Sequence, residues 1–278
     1  MAEFLAIHQT DAALLGCLLR QYAGKLLLGG ATETAAGVAY AQSDDVLLRK
    51  RPLAEKPALP ERLAEGVASE AAVIAAGTAI RGVRGAFQEE STFPFRFHRW
   101  MFSMAGDAEA MRPCRPKLHE GLPDYLRRSV RGEAAAQSLF FDFLSRLREA
   151  GRLDDGDVDE ATVARSLAGA VGAAERVFEQ LGQPMPPLAA VATNGRVMAA
   201  VRRGHPVWLG LREGIFGCPR CELPADAADN DPKVRAHRVL KAVVILTGEQ
   251  AAPPEGFRPL EDGEVLAVSR ALEVRRIH

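Results

Sequence analysis

The sequence has few cysteines, no excess of either charge and no long hydrophobic run. Four cysteines in 278 residues are too few for a disulfide-stapled scaffold, so we expect a reduced, cytosolic protein. Lys and Arg total 35 against 36 Asp and Glu, a balance that gives no electrostatic basis for binding nucleic acid or a membrane surface. No apolar run reaches the ~18 residues of a membrane span. The first residues lack the pattern of a signal peptide.

The apolar content is sufficient for a large core. Hydrophobic residues make up 47% of the chain, which excludes intrinsic disorder for most of it. The patterns run from strands, through two helices near the middle, to strands again. This order predicts one α/β or α+β domain over residues 1–278.

The clearest helix is predicted over 157–182. Apolar residues recur there every three or four positions, and the acidic run before it offers N-caps. Gly182 and Pro184 supply a stop. A second helix is predicted over 135–149, and together the two indicate a helical layer that covers a sheet.

Strands are predicted on both sides of the helices. Asn194-Gly195 lies between two apolar runs, 188–193 and 196–201, and predicts a hairpin with a type I′ turn. The segments 52–60, 109–125 and 217–236 are predicted to be connectors or irregular loops. Further strands are expected at 4–7, 38–40, 46–48, 71–79, 100–103, 207–211, 240–246, 265–269 and 272–277, and a helix at 11–22.

One segment is specific enough to indicate a family. Glu90-Ser-Thr-Phe-Pro-Phe, followed by Trp100-Met-Phe-Ser-Met-Ala-Gly106, resembles the "ENTHPF…W.FAHNG" signature of class II glutamine amidotransferases. Gly37-Val-Ala-Tyr40 and the run from Val130 to Phe140 resemble two further motifs of that family in the same order, as do Met1-Ala-Glu-Phe-Leu-Ala and Leu246-Thr-Gly-Glu249. The resemblance spans nearly the whole chain. It implies a four-layer αββα sandwich of the Ntn-hydrolase type, with two stacked antiparallel sheets.

The resemblance also implies where the catalytic residues should lie. In this family the cysteine after the initiator methionine attacks the glutamine amide, and its own α-amine is the base. Ala2 stands at that position. The family's substrate-binding arginine aligns with Ile80, and Arg81 is one place out of register, which points a strand side chain to the opposite face.

Other polar positions of the family carry apolar residues here. Phe93 replaces a histidine, Ala105 replaces the asparagine of the oxyanion hole beside a retained Gly106, and Ala135 falls where an ammonium-binding aspartate is expected. Since the scaffold residues between these positions remain, we predict a non-catalytic protein. Its binding pocket would lie near Ala2, Ile80, Phe93, Ala105 and Ala135, with Arg81 and Gly106 as candidate ligand-binding residues.

Cys218-Pro-Arg-Cys221 is a second chemical motif. A CxxC pair can bind zinc or act as a redox dithiol. Zinc requires four ligands, and His237 and Cys114 are candidate completions, with His119 as another. An unligated thiol pair is the alternative, and no second CxxC is present.

The sequence therefore supports a cytoplasmic pseudoenzyme that binds a protein partner or a small ligand, as a monomer or a homo-oligomer. No organic cofactor is expected, and zinc is the one metal that the cysteine motif favours. Two alternatives stay open. The first is an active amidotransferase or amidohydrolase that uses Cys17 or Cys114 as a relocated nucleophile, and the second is a zinc-stabilised interaction module built on 218–237.

Overall fold

The computed structural model describes residues 2–21, 33–54, 60–78, 88–132, 134–248 and 255–277. Within these ranges the chain forms thirteen strands and seven α-helices, joined by short 3₁₀ turns. The strands are β1 (Ala2–Gln9), β2 (Glu33–Gln42), β3 (Asp45–Ala54), β4 (Ala71–Thr78), β5 (Phe95–Phe97), β6 (Trp100–Gly106), β7 (Leu188–Thr193), β8 (Met198–Arg203), β9 (Val207–Glu213), β10 (Lys241–Thr247), β11 (Phe257–Pro259), β12 (Val265–Val268) and β13 (Val274–Ile277). The helices are α1 (Leu15–Gln21), α2 (Pro60–Leu63), α3 (Arg115–Glu120), α4 (Asp124–Arg127), α5 (Ala135–Glu149), α6 (Glu160–Gln180) and α7 (Pro232–Val239).

Antiparallel pairing organises the strands into two groups. One group runs β11-β9-β10-β1-β4-β2-β3, and the other runs β5-β6-β7-β8-β12-β13. The groups meet where Ala2 of β1 pairs with Gly106 of β6. Strands that are distant in sequence therefore become neighbours, and β1 lies directly beside β10.

Side-chain alternation along β1 separates two apolar layers. Phe4 and Ala6 share a core with Phe102 of the second strand group, with α5 and with α6. Leu5 and Ile7 face the opposite way, into a second core that includes α1 and part of α2. Helices thus cover the outer faces of both strand groups. This arrangement confirms the predicted mixed α/β fold class, with helices packed on a large antiparallel sheet.

The two central helices match their predicted positions. Asp159 caps α6 by accepting a hydrogen bond from the Thr162 backbone N–H at 2.8 Å. The helix is followed by Gly182 in the left-handed region, at φ +66°, where glycine carries no side-chain penalty. The indole N–H of the buried Trp100 donates to the Leu153 carbonyl at 2.9 Å and so ties β6 to the segment between α5 and α6.

Two local predictions were wrong, and a third holds only in part. The segment 109–125 contains α3 and the start of α4, whereas 217–236 forms the predicted loop up to Asp231 and then enters α7 at Pro232. The hairpin between β7 and β8 is present, but Gly195 has a positive φ and Asn194 does not, so the turn is not type I′. The Asn194 side chain instead accepts from the N–H groups of Arg196 and Val197, both at 3.0 Å, which builds a longer loop. No helix in the described part of the chain is long and apolar enough to span a membrane.

Candidate functional site

Several positions that are catalytic in the resembled family lie at the N-terminal end of β1. Ala2 is 5% exposed and pairs with Gly106, and Ala105 precedes that glycine on β6. Gly106 has φ +110°, and a Cβ there would collide with the Pro187 carbonyl oxygen, so the position requires glycine. The register therefore brings Ala2, Ala105 and Gly106 together at one strand junction.

Phe93 and Ala135 lie in the same apolar core. Both are buried, and the Phe93 ring centroid is 4.6 Å from that of Phe95. Ala135 is the first residue of α5. The other two predicted pocket residues, Ile80 and Arg81, lie outside the described residues. The four described degenerate positions are thus small or apolar side chains buried in one cluster.

A glutamine organises the loop before α5. The side-chain oxygen of Gln137 accepts from the N–H groups of Gly132, at 2.8 Å, and Arg131, at 3.2 Å. Its amide nitrogen donates to the Glu90 carbonyl. These bonds hold the entry to α5 against the turn that precedes Phe93, so this polar residue of the motif has a structural role.

Four donor side chains converge on the outer helical layer. The sulfur atoms of Cys17, Cys218 and Cys221 and one ring nitrogen of His237 all lie within 4.8 Å of one another. The structure thus brings together three of the sequence-predicted zinc ligands, and Cys17 takes the fourth place in the cluster. This group can hold a metal ion.

Cys114 is not part of this cluster, which corrects the predicted ligand set. It is buried in the core that contains α5 and α6, and its thiol donates to the Met111 carbonyl at 3.0 Å. Burial raises the pKa of Cys114 to about 11. It lies on the opposite side of β1 from Cys17 and Cys218, which belong to the second core.

The CxxC segment forms a tight loop. The N–H of Cys218 donates to the Leu223 carbonyl at 2.8 Å, and the Leu223 N–H donates back to the Cys218 carbonyl at 3.0 Å. Cys221 N–H also donates to the Cys218 carbonyl, at 3.2 Å. Glu222 adopts a positive φ of 56°, which is costly for a residue with a side chain. The loop thereby directs both thiols into the cluster.

The orientation of His237 is held by its own helix. Nδ1 lies 2.8 Å from the Lys233 carbonyl, which can only accept, so Nδ1 carries the proton. Nε2 then presents its lone pair, and this buried atom has no hydrogen-bond partner among the described residues. The Asp231 side chain caps α7 through the Lys233 N–H at 2.7 Å.

A buried acid–histidine pair was not predicted from the sequence. His205 Nε2 lies 3.1 Å from both carboxylate oxygens of Glu3, and both residues are largely buried. The sequence gives one indication of this pair, because Glu3 is an acidic residue within the apolar run of β1. It does not identify the histidine that pairs with Glu3, because His205 lies 202 positions away.

Two of the clefts on the described surface have linings that do not include Ala2, Phe93, Ala105 or Ala135. The larger, of about 710 Å³, lies at the far end of β1 beside His8 and is bordered by three arginines: Arg99, Arg196 and Arg270. The smaller, of about 260 Å³, lies over β2 and β3.

Comparison with known proteins gives structural but not sequence relatives. No family model matches the chain, and no curated protein matches it in sequence. The structure is similar to a glutamine aminotransferase class-II domain protein from Silicibacter pomeroyi, with 15% identity, 99% coverage of both chains and a TM-score of 0.58. It is also similar to a predicted glutamine amidotransferase from Pseudomonas aeruginosa, with 16% identity, 98% coverage of both chains and a TM-score of 0.53. These similarities identify the fold. It is the fold of class II glutamine amidotransferase-like proteins.

Proposed function

We propose that the chain is a non-catalytic protein of the class II glutamine amidotransferase fold and that it acts by binding. The observation that carries this proposal is Ala2, a buried methyl group at the strand end beside Gly106. Acyl transfer there requires a nucleophilic side chain next to the α-amine. Ala105 offers no side-chain hydrogen-bond donor either, and loss of one oxyanion donor costs roughly 10²–10³ in turnover.

The positions of the thiols argue against a relocated nucleophile. The reactive form of cysteine is the thiolate, which needs an environment that lowers the thiol pKa. Burial raises the pKa of Cys114 to about 11. Burial also raises the pKa of Cys17, with further contributions from hydrogen bonds to Cys221 and Cys218. Without a bound metal, both candidate nucleophiles therefore have environments that disfavour the thiolate that catalysis requires.

A glutamine analogue that carries a chloroketone tests the absence of a nucleophile. We expect no adduct on the folded protein by intact mass, and we expect adducts after unfolding, which controls for reagent quality. A single adduct mapped to Cys17 or Cys114 of the folded protein, together with release of ammonia from glutamine, would support the relocated-nucleophile alternative and overturn the proposal.

The binding role has its own test. The four described degenerate positions are apolar and buried, so they offer no polar side chain that could bind glutamine. Native mass spectrometry of the protein isolated gently from its host should show a stoichiometric partner chain or a small-molecule mass. A bare monomer in every preparation contradicts this role.

A second and compatible candidate is a zinc-stabilised interaction module. The specific observation is the cluster of three thiols and one imidazole, a donor set that favours zinc over the oxygen-preferring cations. Metal analysis of protein purified without added zinc should find about one equivalent of zinc. Only trace zinc, with none taken up on titration, would remove this candidate.

A further inference from the structure

We infer that Cys17 is the fourth protein ligand of a closed, structural zinc site with Cys218, Cys221 and His237. This inference rests on the zinc candidate above and deepens it by assigning the complete ligand set. It also gives Cys17 a role that excludes it as a nucleophile. Four observations carry it.

The first observation is the spacing of the donor atoms. A zinc–sulfur bond of ~2.3 Å places two sulfurs of a tetrahedral site ~3.8 Å apart. All four donor atoms lie within 4.8 Å of one another, and the Sγ atoms of Cys17 and Cys221 are 3.4 Å apart. Small side-chain shifts therefore suffice to reach tetrahedral geometry, with no rearrangement of the backbone.

The second observation is the state of His237. The backbone carbonyl of Lys233 accepts from Nδ1, which orients the ring and fixes its tautomer, as outer-shell partners of metal-binding histidines do. The opposite nitrogen is buried and unpartnered within the described part of the chain. Leaving such a nitrogen without a partner is destabilising, and coordination to a metal removes this cost.

The third observation is charge. Three thiolates and one zinc ion carry a net charge of −1, which needs a nearby cation in a buried setting. The guanidinium of Arg220 lies directly against Gly16, in the space that a side chain at position 16 would fill. Since Gly16 precedes Cys17, the arginine of the CxxC loop lies beside the ligand helix.

The fourth observation is that the ligands come from three separate elements. Cys17 lies on α1, the two CxxC cysteines lie on the loop after β9, and His237 lies on α7. The Gln21 side chain donates to the Gly217 carbonyl at 3.1 Å, a second link between α1 and this loop. Four protein ligands leave no open position for a substrate, so the site is structural rather than catalytic.

X-ray absorption at the zinc edge, on the full-length protein purified with its metal, tests the ligand set. We expect three sulfurs at ~2.3 Å and one nitrogen at ~2.0–2.1 Å. Two sulfurs with two nitrogen or oxygen ligands would overturn the assignment of Cys17.

Cysteine variants provide a second test of the ligand set. Cys17→Ser should weaken zinc affinity by more than about tenfold, the lower end of what loss of even an outer-shell partner costs. It should also change the ligand-field spectrum of the cobalt(II)-substituted protein. Cys114→Ser is the matched control, because it removes a buried thiol outside the cluster, and it should leave both readouts unchanged.

The possible outcomes distinguish the assignment of Cys17 as a ligand from the proposal that the protein binds zinc. If Cys17→Ser keeps wild-type zinc affinity and the wild-type cobalt spectrum, the assignment of Cys17 fails while the zinc candidate stands. If the wild-type protein binds no zinc at all, both fail, and the non-catalytic proposal is unaffected. If Cys17→Ser does not fold, the absorption data on the wild-type protein decide.

Discussion

The Sγ atom of Cys17 lies 3.4 Å from the Sγ atom of Cys221, although the two residues are 204 positions apart. Both sulfurs are free thiols in the structure. The pairing of β1 with β10 creates this proximity, because it places α1, which follows β1, beside α7, which precedes β10. The first helix and the CxxC loop thereby form one unit on the outer helical layer.

Thiol alkylation should report this unit. Cys221 is the one cysteine with partial exposure, whereas the other three are buried. In the zinc-loaded protein we expect slow modification of all four by iodoacetamide, because coordinated or buried thiols are poor nucleophiles. After chelation, Cys221 should react first, as followed by peptide mapping. Faster modification of Cys114 than of Cys221 would contradict the described burial.

Zinc removal should lower thermal stability. Ligand binding to the folded state at ~1,000 times Kd contributes ~4 kcal/mol, and for a chain of this size that corresponds to a Tm decrease on the order of 10 °C. Calorimetry with and without a chelator measures the shift. Cys114→Ser should show the same decrease, and Cys17→Ser should show little further decrease on chelation. An unchanged wild-type Tm would count against a structural metal.

The central helices could be predicted from sequence because their signals are local. The apolar period of α6, its Asp159 cap and the Gly182 stop all lie within one segment. The Asn194-Gly195 turn failed for an equally local reason. Asn194 uses its side-chain oxygen to accept two backbone N–H groups, and this bonding competes with the turn geometry that the dipeptide usually favours.

The place of Cys17 in the cluster could not be predicted because its signal is not local. Cys218, Cys221 and His237 lie within one short stretch of sequence, so their spacing alone indicates a common metal site. Cys17 has the sequence pattern of one more buried residue on the apolar face of α1. Only the pairing of β1 with β10 identifies it as a neighbour of the loop, and strand order is a tertiary property.

Acid should destabilise the protein partly through His8. Burial lowers the pKa of His8 to about 4, below its ordinary value of 6.5. The unfolded chain therefore binds a proton between these values while the folded chain does not, so stability falls as pH decreases from 6.5 to 4. The full contribution is about 3 kcal/mol.

Urea unfolding at several pH values measures this effect. His8→Gln should flatten the stability profile between pH 4 and 6.5. The slope of the wild-type protein over the same pH range is the reference. Equal slopes for the wild-type protein and His8→Gln would refute the assignment.

The strand junction at Ala2 should depend on Gly106. Gly106→Ala combines a positive φ with a collision against Pro187, whereas Gly66→Ala has a positive φ of 73° and open space around it. Gly66→Ala should cost ~1–2 kcal/mol, as expected for a side chain in the left-handed region. Gly106→Ala should cost clearly more by chemical denaturation. Equal losses of stability for the two variants would mean that the contact of position 106 with Pro187 does not affect the free energy of unfolding.

Ammonia release from glutamine by the zinc-loaded, full-length protein decides whether the chain is catalytic. Ala2 leaves the β1–β6 junction without a nucleophilic side chain, and we propose that Cys17 is a metal ligand. We predict no release above the uncatalysed rate at any enzyme concentration, with the same result for Cys114→Ser. Release that is proportional to protein concentration, and that is lost in Cys17→Ser or Cys114→Ser, would contradict the account.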